Sequence, residues 1–336
     1  MLRVLLPALV SLAFVVTVTA SDVAEIKSGS NNDGEVPTET VAVKRGLKYV
    51  SEAGETWIRK RGCVSCHQVP TLIWSHSLAR SAGMDESTRE LDRWIDWSTD
   101  VVNFVKPAQK ADVDRPATMA ANIDTMVQLL LAIPRSEPPQ PWRSTFVNAL
   151  TESQHDDGSW KACGQLPMGR RPKRETAAVT TMWAMLALRR ENADFNESSA
   201  EAFVSQVQSP VSTEFFTVRS LLAHEHSGEV STAIEWLVER QNPDGGWGWR
   251  IAEPSDALGT GLALHALHRV TLDANPAAKH AAEAATRFLL TTQRPDGSWP
   301  VPGTKTSAKG RVTETAVDWG SAWAVMGLLA KSSDRD

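Results

Sequence analysis

Three segments of this chain share one pattern of apolar and polar positions. They are 149–160, 236–247 and 288–299, and each reads as the apolar end of a helix, a Gln, two variable residues, then Asp-Gly-(Ser/Gly)-Trp. In the last two copies, Pro precedes Asp-Gly, and Pro and Gly are the residues that tight turns favour. The pattern therefore predicts a helix that ends in a turn, three times over.

A second helix is predicted after each of these turns, rich in small residues and opened by an acid. The acids are Glu175, Asp256 and Glu314. A carboxylate in the first turn of a helix is stabilised by the positive end of the helix dipole, so a structural role is available to all three. They are also the weak candidates for catalytic groups.

The Gln residues of the first two copies stand 87 positions apart and those of the last two 52, so the longer interval leaves room for one degenerate pair of helices. The same interpretation upstream gives six helix pairs, each with an outer and an inner helix. The predicted pairs are 41–60 with 70–83, 87–105 with 116–134, 140–153 with the Glu175 helix, 197–208 with 213–225, 229–241 with 255–270, and 277–292 with 313–332. We therefore expect an all-α, single-domain (α/α)6 toroid over 41–333.

The repeated segments within 149–333 resemble the QW repeats of terpenoid cyclases such as the squalene cyclases. The α/α toroid of that superfamily is shared with protein prenyltransferase β subunits and with complement-type thioester domains. The resemblance implies that the repeat Gln and Trp residues stack and pin one helix pair to the next, and ligand stacking by the Trp residues is the alternative. These residues are Gln154, Trp160, Gln241, Trp247, Gln293 and Trp299.

The chain lacks the sequence motifs that carry the known activities of this superfamily. There is no Asp-x-Asp-Asp for alkene protonation, no Asp-x-Cys for a prenyltransferase zinc site, and Ala162-Cys163-Gly164-Gln165 lacks the Glu of a thioester motif. The fold alone therefore does not give the function.

The N-terminus predicts export. Residues 1–20 combine Arg3, an apolar run and small residues ending at Ala20, which is the pattern of a signal peptide. An uncleaved anchor is the alternative, and it would be the chain's sole membrane contact. Residues 21–40 are polar and predict a flexible linker. We expect a periplasmic or otherwise extracytoplasmic protein.

Composition adds two constraints. The chain has 336 residues, 42% of them hydrophobic, and a formal charge of −5, so no basic footprint points to nucleic acid. One basic stretch, 170–174, is a candidate contact for an anionic group or an acidic redox partner protein.

The sharpest chemical signal is Cys63-Val64-Ser65-Cys66-His67. Two thiols at this spacing can add to the two vinyl groups of haem, and the adjacent His67 is placed to ligate its iron. We therefore expect haem c, bound through Cys63 and Cys66. A Cys63–Cys66 disulfide and a zinc site that uses both thiols and His67 are the alternatives.

The second axial ligand of such an iron is not determined by the motif. His76 and Met84 follow on the next helix, more distant candidates are Met119, Met126, His155 and Met168, and an open sixth position is equally admissible. Two functions remain. One is a haem protein for electron transfer or for binding a hydrophobic, isoprenoid-like molecule in the ring cavity. The other is a divergent terpenoid-type or haem-dependent enzyme acting on a hydrophobic substrate.

Overall fold

The computed structural model describes residues 36–64, 67–84, 88–163, 170–227, 232–269, 275–308 and 310–330. The regular secondary structure of these residues is helical. Extended backbone pairs in isolated β-bridges, such as that between Pro302 and Val312. The predicted signal peptide, 1–20, and most of the predicted linker, 21–40, lie outside the described residues.

The helices alternate between an outer and an inner layer. The outer helices are α1 (Glu39–Arg61), α3 (Thr88–Thr99), α6 (Pro141–Glu152), α8 (Glu197–Ser205), α10 (Thr232–Glu239) and α12 (Pro276–Thr292). The inner helices are α2 (Val69–Ser81), α5 (Ile123–Ala132), α7 (Lys173–Arg190), α9 (Thr213–Ser227), α11 (Ala257–Arg269) and α13 (Glu314–Leu329). A short helix, α4 (Arg115–Ala120), precedes α5, so the predicted inner helix 116–134 is divided in two.

The inner helices form a closed ring. Each packs against the inner helix before and after it in the chain, and α13 packs against α2. Helix α1 lies against both α12 and α13, so the first pair covers the last. The expected all-α (α/α)6 toroid is confirmed.

Burial follows this layering. Every residue of α11 before Arg269 is buried, because an inner helix is covered by its neighbours, by an outer helix and by the ring interior. Outer helix α1 instead buries one face, with Ala42, Val43, Gly46, Leu47 and Val50 at helical spacing. The outer helix α1 is therefore amphipathic, and the inner helix α11 is buried almost all round.

The three repeated turns fasten neighbouring pairs with hydrogen bonds. In the last copy, the indole N–H of Trp299 donates to Leu289 O at 2.8 Å, near the end of the preceding outer helix. The side chain of Gln293 donates to Gly297 O at 3.1 Å within the turn and to Ala42 O at 2.9 Å in α1. The other two copies repeat these bonds from Trp160, Trp247, Gln154 and Gln241.

The last of these turns closes the ring. Gly297 has φ 87°, and a Cβ added there would lie 2.2 Å from Arg45 O in α1. A residue other than glycine would therefore be strained in its backbone and would also push the first outer helix away.

Candidate functional site

The candidate site begins where α1 ends. Gly62 adopts a left-handed conformation, with φ 62°, and its N–H donates to Ile58 O at 2.9 Å, which terminates the helix. A Cβ on Gly62 would lie 2.6 Å from Pro107, so the chain passes close to the 3₁₀ turn Pro107–Asp112. This turn of the backbone delivers Cys63 to the end of the ring where inner helices begin, called here the mouth.

Neighbouring groups hold the described part of the Cys-x-x-Cys-His motif in place. Trp57 donates its indole N–H to Cys63 O at 2.8 Å, and Val64 N donates to Asn103 O at 2.6 Å. The buried ring of His67 meets Trp57 edge to face, with 5.6 Å between ring centroids. Cys66 lies outside the described residues.

Cys63 and His67 line one cavity of about 620 Å³. Its walls come from three parts of the chain: the α1–α2 connection, the segment around Phe104–Lys106, and the loop before α13 together with the start of α13. Trp57, Val64 and Phe104 give the cavity apolar surface. It therefore combines apolar walls with a thiol and an imidazole.

The electrostatics at the Cys63 thiol have two opposing causes. Partial burial raises the pKa of the thiol, while the positive charges of Lys106, Lys110 and Arg61 lower it by smaller amounts. Burial prevails, so the pKa stays above its ordinary value and the group is a neutral thiol near pH 7.

The two named distal candidates do not line this cavity. His76 lies within α2, where its Nε2 is 2.8 Å from Ser51 Oγ and its ring meets Trp94 at 5.1 Å between centroids. Met84 lies beyond the C-terminal end of α2, and a helix of this length spans about 20 Å. Neither residue lies on the cavity wall that carries His67. The identity of the second axial ligand therefore stays open.

The more distant candidates have other surroundings. Met119 and Met126 are buried in the core, and His155 Nδ1 lies 3.2 Å from Ser159 Oγ within a repeat turn. Met168 lies outside the described residues. These placements are those of core and turn residues.

Of the candidate catalytic carboxylates, Glu175 anchors a neighbouring helix. It is buried and accepts hydrogen bonds from Val211 N at 3.0 Å, Ser212 N at 2.9 Å and Ser212 Oγ at 2.6 Å. Ser212 immediately precedes α9, so Glu175 holds the start of the following inner helix rather than its own.

Asp256 caps its own helix, α11. It accepts from Gly259 N and Trp249 N, each at 2.8 Å. Burial raises the pKa of this carboxyl to about 6, although the two backbone N–H groups pull it down. Asp256 also lines a second cavity, of about 640 Å³, together with Arg170 and Arg250. The group could hold a proton near neutral pH.

Glu314 is exposed in the first turn of α13. The buried acid of this helix is Asp318, which sequence reasoning missed. Asp318 accepts from Tyr49 OH at 2.8 Å and from Gln68 Nε2 at 2.7 Å, and burial raises the pKa of its carboxyl. An acid within an otherwise apolar inner helix was the available signal. Through Gln68, which directly follows His67, Asp318 fastens the motif to the last inner helix.

Aromatic side chains meet inside the ring. Trp323 of α13 lies 5.6 Å from Trp74 and 6.1 Å from Trp183 between ring centroids, and 5.7 Å from His265. These four residues belong to four different inner helices and are all buried. At this level the ring interior is filled by its own side chains.

The basic stretch 170–174 finds partners within the protein. Arg170 pairs with Glu253, and Arg171 pairs with the buried Glu214 at 2.8 Å and lies over Trp249. Arg174 donates to Gln206. The arginines of this stretch therefore hold the connections at the mouth together, and contact with an anionic group or an acidic redox partner stays a prediction.

Across the described parts of the chain, no group of three or more His, Cys, Asp and Glu side chains is arranged to hold a metal ion. Among the same residues, none of the helices combines the length and apolar character needed to cross a membrane.

The fold is similar to solved structures at low sequence identity. A possible member of the GH105 family from Salmonella enterica serovar Paratyphi A aligns with a TM-score of 0.56 and 13% identity, over 91% of this chain and 97% of that chain. A type II terpene cyclase variant from Scytonema, in complex with its substrate geranylgeranyl dihydroxybenzoate, aligns with a TM-score of 0.51 and 13% identity, over 88% and 98%. A family 88 glycosyl hydrolase from Bacteroides vulgatus aligns with a TM-score of 0.51 and 10% identity, over 87% and 99%.

These neighbours share the α/α-toroid type of fold and include glycosidases and a cyclase, so the fold is one that carries enzymes. At such identities the likeness extends to the fold alone. No protein-family model and no curated protein matches the sequence.

Proposed function

We propose that this chain is an exported α/α-toroid protein that carries haem c, bound covalently through Cys63 and Cys66, with His67 as the proximal iron ligand. One observation carries the proposal. The thiol and the imidazole of the motif line the same cavity of about 620 Å³, within the range of about 300–1,000 Å³ typical of cofactor and ligand sites.

The residues present fit such a group. His67 supplies an imidazole, and its contact with Trp57 orients the ring. Trp57, Val64 and Phe104 supply apolar contacts for a porphyrin face, and Cys63 supplies a neutral thiol. A haem bound here would supply one-electron chemistry and an iron that binds small ligands. Electron transfer to a partner protein at the mouth is the role that we favour.

Binding of a hydrophobic, isoprenoid-like molecule is the second part of the proposal. The resemblance to terpenoid cyclases and prenyltransferases supports it, because the Gln of each QW-type turn donates a hydrogen bond to the next helix pair. The aromatic side chains around Trp323 fill the middle of the ring interior. Such a molecule would therefore lie at the mouth or at the opposite end of the ring.

An enzyme acting on a hydrophobic substrate is the alternative function. The observation that favours it is Asp256, a carboxyl with a pKa of about 6 on the wall of the second cavity. A general acid is most effective when its pKa lies near the working pH. Glu175 and Glu314 are weaker candidates, because the first is saturated by hydrogen bonds and the second is exposed.

The decisive experiment is production of the full chain in bacteria that have working haem-maturation machinery. We expect haem that survives denaturation and acid-acetone extraction, with a haemochrome spectrum of the c type. A Cys63→Ser/Cys66→Ser variant should lose it, and Cys163→Ser should keep it as the matched control. Haem-free wild-type protein would overturn the proposal, and bound zinc or a loss of two hydrogens in mass would identify the zinc or disulfide alternative.

Export has its own measurement. Mature protein recovered from the periplasmic fraction should begin close to Ser21. Retention of residues 1–20 on membrane-bound protein would favour the uncleaved anchor.

A further inference from the structure

Two segments of the chain bring positive charge to the same side of the mouth. One is the last turn of α1, and the other is the 3₁₀ turn Pro107–Asp112 with the residue before it. The two segments are in contact, because a Cβ on Gly62 would lie 2.6 Å from Pro107. Their cations, called here the basic patch, are Arg59, Lys60, Arg61, Lys106 and Lys110.

The basic patch lies beside Cys63. Burial raises the pKa of the Cys63 thiol, and the charges that act on this pKa are the positive charges of Lys106, Lys110 and Arg61. The described lining of the neighbouring cavity contains cations but no Asp or Glu. The chain as a whole carries a formal charge of −5, so this local charge runs against its composition. Positive charge is therefore concentrated where haem would be attached.

Acids of the described structure do not neutralise the basic patch. None of its cations forms an ion pair with another described residue. Lys110 Nζ instead lies 2.6 Å from the amide oxygen of Asn103 and over the ring of Trp97, and Arg61 lies over the ring of Trp57. The positive charge of the patch is therefore available to a molecule outside the chain.

Part of the patch also has a role within the fold. Cations in the last turn of a helix are stabilised by the negative end of the helix dipole, which accounts for those at the end of α1. Lys106 has no such role, because it stands at the N-terminal end of its 3₁₀ turn, where the dipole does not favour a cation. Helix stability therefore does not explain why the two segments place their cations together.

We propose that the basic patch docks the acidic surface of a protein that exchanges electrons with the haem, an inference that rests on the proposed function. One electron passes between the two redox centres, so one centre is oxidised as the other is reduced, and no bond or proton is transferred. Redox complexes are typically small and transient, and complementary charge brings the partners together. A partner held at the patch would stand beside Cys63, through which the haem is attached.

An acidic protein fits this surface better than an anionic membrane does. Segments that lie on membranes combine cations with large apolar side chains that enter the lipid. The large apolar side chains exposed in the described structure are Val36, Val41 and Val312. None of these belongs to the last turn of α1 or to residues 106–112. The patch therefore offers charge without the apolar anchor that lipid binding uses.

The test compares two double variants of the full-length, haem-loaded protein. Lys60→Gln/Lys106→Gln removes one charge from each segment of the patch. Lys44→Gln/Lys48→Gln, the matched control, removes two exposed charges from the first half of α1. These lysines stand about 18–24 Å from Lys60 along the helix. That separation exceeds the Debye length of about 10 Å at about 0.1 M ionic strength, so the two variants alter net charge equally but at different places.

The probe is an acidic plant-type ferredoxin, which carries one electron. Binding of oxidised ferredoxin, which involves no electron transfer, is measured by titration calorimetry. Transfer of an electron from reduced ferredoxin to the ferric haem protein is measured by stopped-flow absorbance. Vesicles of equal parts phosphatidylcholine and phosphatidylglycerol are the competing probe, and binding to them is measured by sedimentation.

We expect both variants to keep covalent haem. At about 0.1 M ionic strength, Lys60→Gln/Lys106→Gln should bind oxidised ferredoxin about tenfold more weakly than wild type, and the bimolecular rate of electron transfer should fall by about the same factor. Lys44→Gln/Lys48→Gln should stay within about twofold of wild type in both measurements. At about 1 M salt the difference should largely vanish, because the Debye length falls to about 3 Å.

Four results would overturn the inference. Unchanged ferredoxin binding in the patch variant would do so and leave the proposed function intact. Equal losses in the two variants would show that net charge, rather than the patch, governs binding. Patch-dependent binding to vesicles without binding to ferredoxin would replace the protein partner with a membrane. Wild-type protein without covalent haem would remove the proposed function and the inference that rests on it.

Discussion

The connection in the first helix pair differs from its counterparts in the third, fifth and sixth pairs. Each of those three connections contains a Trp at 0–1% exposure and a Gln that reaches the next outer helix. The first connection contains Cys63 and His67 instead and borders a cavity. At the matching position in the ring, those three pairs bury a Trp, whereas the first pair places a thiol and an imidazole on a cavity wall.

Other side chains fasten the first connection. Trp57 holds Cys63 O from the preceding outer helix, and Asp318 of the last inner helix holds both Tyr49 and Gln68. These fastening side chains stand outside the five-residue motif, and Cys63 and His67 of the motif line the cavity. A repeat protein can therefore devote one connection to a ligand when neighbouring elements take over its packing role.

The largest expected effect is a difference in stability between Trp variants at the two kinds of connection. Trp299→Ala should lower the free energy of unfolding by about 3–5 kcal/mol, because it leaves a large cavity at the ring closure. Trp57→Ala should cost less, since Trp57 is only partly buried, and should instead disturb the site around His67. Chemical denaturation measures both. Equal destabilisation by the two variants would contradict the difference between the repeat turns and the first connection.

A pair of glycines tests the closing turn. Gly297→Ala and Gly310→Ala both place a side chain at positive φ, which costs about 1–2 kcal/mol. At Gly297 the new Cβ also overlaps Arg45 O, whereas at Gly310 nothing lies within 4 Å. We expect Gly297→Ala to be the more destabilising by a further 1 kcal/mol or more, on the order of an overpacked core site. Thermal unfolding midpoints that match would contradict this.

Asp256 tests the electrostatics of the fifth connection. The pKa of about 6 in the folded protein lies above the ordinary Asp value of about 3.9. The folded state therefore binds the proton more tightly, and stability should fall as pH rises from 4 to 6, by about 1.4 kcal/mol per unit of separation in pKa.

Asp256→Asn removes this titration, while other groups such as His265 titrate alike in both proteins. The difference in unfolding free energy between wild type and variant should therefore change between pH 4 and pH 6, with wild type losing its relative advantage as pH rises. Parallel pH profiles would show that Asp256 is not shifted.

The smallest expected effect compares two repeat Gln residues. Gln293 is 8% exposed and joins the last turn to α1, whereas Gln154 is more exposed. Gln293→Ala should cost about 1–2 kcal/mol because two carbonyls lose a donor, and Gln154→Ala should cost about half of that. Urea unfolding at neutral pH distinguishes them. A larger loss at Gln154 would argue against a special role for ring closure.

Much of the fold was readable from the chain because its signals are local. Repeat spacing predicted six helix pairs, and Pro-Asp-Gly predicted two of the turns, since both depend on residues close in sequence. The division of 116–134 into α4 and α5 was not predicted, because the apolar pattern runs through the break at Ala121–Asn122. Asp318 was missed because its partners are remote.

The candidate site, too, could be predicted from the sequence only in part. The Cys-x-x-Cys-His motif was identified from five consecutive residues, as thiol and imidazole chemistry requires only their spacing. The cavity beside it could not be predicted, because its third wall comes from the last helix pair, which is remote from the motif in the chain. Gln68 and Asp318 stand 250 residues apart in the chain and meet only when the ring closes.

By itself the sequence determined the helix pairs, the repeated turns and the presence of a haem-type motif, all of which depend on short-range periodicity and spacing. Only the tertiary structure decided which carboxylates are used up in capping and anchoring helices. It also decided that the arginines of 170–174 are already paired, and that the loop before α13 shares a cavity with Cys63. The physical reason is ring closure, which brings the first and last helix pairs into contact and so creates a site that neither pair contains alone.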